Sequence, residues 1–150
     1  MTSLAARAES GSSAGGVREA QRLETRARVF DAAVAEIARS GLAGADVSAI
    51  ARAAGVVRGT FYFHFPTKEH VLVELEQAEE TRIVAELDTK AASPDDLTSI
   101  LTLLVRRVLA AERRLGAVVF RDMLGLHFSS TRPAPEQRAL QWRVTRTIRS

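Results

Sequence analysis

At 150 residues, 46% of them hydrophobic, the chain is sized for one compact unit and too apolar for global disorder. It contains no cysteine, which excludes disulfides and thiolate zinc sites, and no run of apolar residues long enough to span a membrane. The net charge of +3 is unevenly spread, with residues 18–70 net +2, residues 71–130 net −3 and residues 131–150 net +4, so a mildly basic end adjoins an acidic middle.

Residues 1–17 are rich in Ala, Ser and Gly and have little to bury, so they are expected to form a flexible arm. From Gln21 to Ser40 the apolar residues Leu23, Phe30, Val34 and Ile37 recur at helical spacing, and Gly41 ends the run. Asp46 is a suitable N-cap for a second helix, Val47 to Ala54, whose Ile50, Ala51 and Ala54 share one apolar face. Gly55 follows where the chain must turn sharply, because glycine takes positive φ without a Cβ clash. A short third helix is expected from Arg58 to Phe65, stopped by Pro66. Two short helices joined by a glycine turn, the second bearing hydroxyl, aromatic and imidazole groups, have the rhythm of a helix-turn-helix.

Thr67 can cap a fourth helix from Lys68 to about Ala91. Val71, Leu72, Leu75, Ile83 and Leu87 are expected inward, and Glu74, Glu76 and Glu80 largely outward. Ser93-Pro94-Asp95-Asp96 is another start signal, with a capping hydroxyl, a proline suited to the first turn and acids at the positive end of the dipole. The helix after it, to about Arg114, carries Leu97, Ile100, Leu101, Leu103, Leu104, Val105, Val108 and Leu109 and is expected to be central. Leu115 to Phe128 continues the pattern, Pro133 and Pro135 interrupt it, and Glu136 onward reads as a last helix with Leu140, Val144 and Ile148 on one stripe. No strand pattern competes, so the expected fold class is all-α.

Ile50-Ala51, Ala54-Gly55-Val56, Gly59-Thr60-Phe61-Tyr62, His64-Phe65 and Lys68-Glu69 carry a specific likeness. On these residues the stretch from about 21 to 72 resembles the DNA-binding head of the TetR family of bacterial transcriptional regulators. The resemblance implies residues 18–70 as a helix-turn-helix DNA-binding domain and residues 71–150 as a helical ligand-binding and dimerisation body. That body is expected to be incomplete at its C-terminus, because relatives continue with further helices. The implied partners are a palindromic double-stranded DNA operator, a small-molecule effector and a second copy of the chain.

In such a head the second helix of the motif enters the major groove. Arg58, at its start, is the candidate for reading a base, since its planar fork can bond O6 and N7 of a guanine; a phosphate contact is the alternative. Gly59 allows close backbone approach to the duplex. Thr60 offers a hydroxyl to phosphate and a methyl to thymine, or merely a local cap. Tyr62 and His64 resemble phosphate contacts of the family, Phe63 could meet a thymine methyl, and Lys68 at a helix N-terminus suits a phosphate clamp. Asp46 stands where the family commonly has a phosphate-contacting threonine, which leaves Ser48 to reach the backbone instead. Val57 stands where many members have a capping serine. An N-terminal arm bearing Arg7 and Arg18 could touch neighbouring phosphates.

For the body, Met123, His127, Phe128 and Trp142 are candidate ligand-pocket residues, with plain packing as the competing reading. His64, His70 and His127 are too scattered in sequence for a metal site. No phosphate loop or nucleophile–base pattern is present, so neither an enzyme nor a cofactor is expected. With no signal-peptide pattern, a cytoplasmic protein is expected. The leading reading is a repressor released from its operator by a small molecule. The alternative is a truncated helical protein that pairs with related regulators without binding an operator itself.

Overall fold

The computed structural model describes residues 6–90 and 97–134, with side chains described from residue 15 onward except at 88 and 90. These residues form α1 (Ala6–Gly44), α2 (Val47–Ala54), α3 (Arg58–His64), α4 (Lys68–Lys90), α5 (Leu97–Leu115) and α6 (Ala117–His127), with no strand among them. The capping segment 93–96, the stripe Leu140, Val144 and Ile148, and Trp142 lie outside the described residues.

α1 starts well before the expected Gln21 and runs through most of the stretch read as an arm. Gly15 and Gly16 are exposed and have no neighbour that a Cβ would meet. The regular helix breaks where expected, at Gly41 (φ 72°, ψ 163°). Of the residues expected to face inward, Phe30 and Ile37 are buried, whereas Leu23 and Val34 are half-buried and Val29 and Ala33 take the central places.

α2 follows the sequence closely. The Asp46 carboxylate accepts from the Ser48 N–H at 2.9 Å, and Val47, Ile50, Ala51 and Ala54 are buried. At its far end Gly55 is left-handed (φ 68°), its N–H donating to Arg52 O at 3.1 Å while the Val56 N–H donates to Ala51 O at 2.9 Å. This paired closure satisfies the last carbonyls of α2 and turns the chain directly into α3. α3 begins without a side-chain cap at Val57 and ends one residue early, with Phe65 extended and its N–H bonded to Phe61 O at 2.8 Å.

One continuous core joins all of this. Val29, Phe30, Ala33 and Ile37 of α1 meet Val47, Ile50 and Ala54 of α2, Phe61 and Phe65 at α3, Val71, Leu72, Val73 and Leu75 of α4, and Val119, Met123 and Leu126 of α6. α4 passes through the expected domain boundary near residue 70 without interruption. α6 packs against both α1 and α4, and its Asp122 Oδ2 accepts the Leu42 N–H at 2.7 Å just beyond the Gly41 break.

Two expectations are corrected here. Glu74 and Glu76 are buried rather than outward, because each has a cationic or imidazole partner from another part of the chain. Only Glu80 is exposed as expected. The second concerns α5, which is not central. Leu97, Leu101, Leu104, Val105, Val108 and Leu109 are all exposed, and Ala111 is its one buried residue. α5 packs on α4 and α6 by one edge, with Arg107 paired to Glu86 and Arg114 to Glu79. Its apolar breadth exceeds what those two helices can cover.

Candidate nucleic-acid interface

The outer surface of α2 and α3 is built by division of labour along α3. Phe61 is fully buried and Phe65 nearly so, and they pack on each other at a ring-centroid distance of 5.9 Å, with Phe30 at 6.1 Å from Phe65. These rings anchor α3 by its inner face. Helical spacing then turns Arg58, Tyr62 and Phe63 outward, with Phe63 64% exposed. Gly59 is exposed too, and no atom lies within 4 Å of where its Cβ would stand.

Arg58, Tyr62 and Ser48 form a connected outward row. The Arg58 guanidinium donates to the Tyr62 hydroxyl at 3.3 Å and, at the limit of bonding distance, to Ser48 Oγ at 3.5 Å. It also lies over the tyrosine ring, 5.7 Å from the centroid. The link to Tyr62 raises the Arg58 pKa, so its charge is fixed at any accessible pH. An arginine fork held by weak bonds on an exposed surface is pre-oriented yet free to exchange those bonds for a base edge or a phosphate. Thr60 is half-exposed beside this row.

Two residues of the expected set are placed differently. His64 is buried, only 6% exposed, because it lies on the inner side of α3 with the core phenylalanines and not on the row of Arg58 and Tyr62. Burial, assisted by the Arg26 and Arg22 charges, holds its imidazole below the ordinary histidine pKa. A neutral, buried ring is a poor phosphate ligand. The Lys68 ammonium is directed at the α1–α2 turn, donating to Ala43 O at 3.0 Å and Ala45 O at 3.1 Å. It satisfies carbonyls left open at the break after Gly41 and fixes the start of α4 on the head.

The His64 environment gives a pH expectation. The unfolded chain takes up this proton near pH 6.5, whereas the folded chain holds the ring neutral to lower pH. The stabilisation is therefore complete above about pH 6.5 and lost as pH falls through that value toward the lowered folded pKa. Urea unfolding at pH 7.5 and 5.5 should show lower stability at the acid pH, with the difference reduced in His64→Gln. Glu36, whose carboxylate is held down first by its bond from Arg39, acts only in a lower window, below the ordinary carboxylate range.

Sequence reasoning missed a residue pair behind this surface. Arg26 of α1 and Glu74 of α4 form a bidentate ion pair at 2.8 and 2.7 Å, with both side chains almost fully buried. The Arg26 guanidinium also covers the Phe65 ring, 4.3 Å from its centroid. The pair clamps α4 to α1 directly behind α3. A spacing signal existed, since Glu74 stands inside the buried run Val71–Leu75, but charge alone argued for the outside.

Of the candidate pocket residues, Met123, His127 and Phe128 are described, and the His127 and Phe128 rings meet at a centroid distance of 4.8 Å. Met123 is part of the core, the His127 ring contacts the Glu76 carboxylate, and Phe128 is 82% exposed.

Residues 29–75 match the family described as bacterial regulatory proteins, tetR family. Over those residues the head of this chain is similar to that family. Among curated proteins, the chain is 36% identical over 93 residues to the HTH-type transcriptional regulator AcrR of Shigella flexneri, covering 61% of this chain and 42% of that protein. It is 35% identical over 96 residues to the HTH-type transcriptional repressor KstR of Mycobacterium tuberculosis, covering 64% of this chain and 43% of that protein. The matches thus span less than half the length of these curated relatives. Among solved structures, the fatty acid degradation regulator FadR from Bacillus halodurans is similar with a TM-score of 0.46 and 32% identity, over 68% of this chain and 62% of that one. Among the described residues, no helix is long and apolar enough to cross a membrane.

Proposed function

We propose that this chain is a DNA-binding transcriptional regulator that docks the outer face of α3 in the major groove. The observation that carries this reading is the outward row of Ser48, Arg58 and Tyr62, with exposed Phe63 and open Gly59 beside it on the tetR-family head. Arg58 reads a base, and the hydroxyls of Ser48, Thr60 and Tyr62 contact phosphate. His64 and Lys68 act from behind, His64 in the packing of α3 and Lys68 in holding α4 to the α1–α2 turn. In this reading residues 18–70 are the DNA-binding unit and residues 71–150 the regulatory one.

Repression, release by a small molecule, action as a homodimer on a palindromic site and a cytoplasmic location complete the proposal. The relative KstR is named a repressor, which supports the sign of the effect. The exposed apolar face of α5 supports a body that encloses a ligand or pairs with a second subunit. The Asp122 bond to Leu42 gives the body a direct hold on the end of α1. A ligand regulates through that hold only if it binds one head position better than the other.

Selection of bound duplexes from a random pool, at low and moderate salt, tests the proposal. A palindrome with half-sites about one helical turn or more apart is the expected product. An isolated half-site would remove the homodimer, and no enrichment by folded protein would remove DNA binding. On the selected site, Arg58→Ala should cost about 1–3 kcal/mol and relax preference at one base pair, whereas Tyr62→Phe should weaken all sequences alike. Uniform loss in both variants would reassign Arg58 to phosphate.

A further inference from the structure

Outside the DNA-facing surface, folding brings one nitrogen and two oxygen donors to a single spot on the body. Glu76 and Glu80 are four residues apart on α4, hence on one helix face, and His127 reaches them from the end of α6. Their ligand atoms all lie within 4.8 Å of one another. We propose that Glu76, Glu80 and His127 form a binding site for a first-row divalent cation of the zinc type.

Three features separate this cluster from an ordinary acidic patch. The donor set mixes imidazole with carboxylate, which favours zinc-like ions over calcium or magnesium. Second, Glu80 has no ion-pair partner among the described residues, whereas its neighbour Glu79 is paired with Arg82 and Arg114. Two carboxylates at i and i+4 repel each other, and a shared cation removes that cost. Third, Glu76 is already held in place. It is buried, and its Oε2 accepts from Arg132 at 2.7 Å while Oε1 faces the His127 ring. Arg132 thus orients the carboxylate from outside and leaves one oxygen for a metal, the arrangement that supports ligands from a second layer.

An ion about 2.0–2.2 Å from each donor places the donors roughly 3–4 Å apart, so the direct His127–Glu76 contact opens to admit the ion while the exposed Glu80 draws in. The remaining positions on the ion face solvent. The ion would tie α4 to α6, and each of these helices is separately fastened to the head, α4 through Lys68 and α6 through Asp122. The site itself does not depend on the DNA-binding reading.

The test is calorimetric titration of the full chain with zinc chloride, joined to cobalt(II) absorption as a report on the ligand set. One ion per chain is expected, with Glu80→Gln and His127→Gln each weakening binding by more than about tenfold. Both substitutions are at exposed side chains and spare Glu76, whose loss would threaten folding. His70→Gln, outside the cluster, should leave the titration unchanged. The absence of saturable zinc binding by folded protein overturns the proposal. So does binding that survives in either of the two ligand variants, or that is lost in the His70 variant.

Discussion

Glu74→Ala should destabilise the fold by about 3–5 kcal/mol, a loss large enough to unfold a marginal chain of this size. The substitution strips the Arg26 guanidinium of a bidentate carboxylate in a place where both side chains are almost out of reach of water. The cost lies less in the lost attraction than in leaving a buried charge without the carboxylate that meets it bidentately. Arg26→Met combined with Glu74→Leu should therefore recover most of the loss, because replacing a whole buried pair by apolar groups is often neutral or better. Urea unfolding followed by circular dichroism at 222 nm measures both. If the single variant lost less than about 1 kcal/mol, the pair would be behaving like an exposed one, and the packing of α4 on α1 would be looser than the 2.7 Å contact implies.

That pair also marks where the sequence stops being readable. The head is legible because its signals are local: Asp46 capping α2, Gly55 in the left-handed turn and Pro66 after α3 all act within a few residues of themselves. Arg58, Tyr62 and Phe63 follow from those boundaries, since fixing the helix fixes its faces. His64 was misplaced for a related reason. The likeness to phosphate contacts in the family argued for the outside, but the side of α3 that meets the core also includes position 64.

The body is decided by contacts distant in sequence, which composition and spacing do not reveal. Glu76 is buried because His127 and Arg132 arrive from 51 and 56 residues away. Lys68 is drawn to the Ala43 and Ala45 carbonyls because the chain breaks at Gly41, a consequence of the fold of another helix. α5 shows the opposite failure: its apolar sequence predicts a central helix, yet α4 and α6 cover only one edge of it. Hydrophobicity states that a face requires cover and leaves open what supplies it.

Two substitutions two residues apart on α3 separate its anchoring role from the reading role proposed for it. Phe61→Ala should cost about 3–5 kcal/mol, since it empties a fully buried ring site packed against Tyr62 and Phe65. Phe63→Ala, two residues on, removes a ring that is 64% exposed and should change stability by no more than about 0.5 kcal/mol. DNA binding should not follow the same order as stability. Phe61→Ala should lose affinity only in proportion to the fraction unfolded, and cooling or a stabilising co-solute should restore binding along with the helical signal. Phe63→Ala should remain fully folded and, under the proposed docking of α3 in the major groove, lose affinity at sites where a thymine methyl faces the ring. Thermal unfolding and duplex titration on the same samples resolve the two cases. A Phe63→Ala protein that binds every duplex as the parent does would show that the exposed ring does not touch DNA. The reading surface would then contract to Arg58, Tyr62 and Ser48.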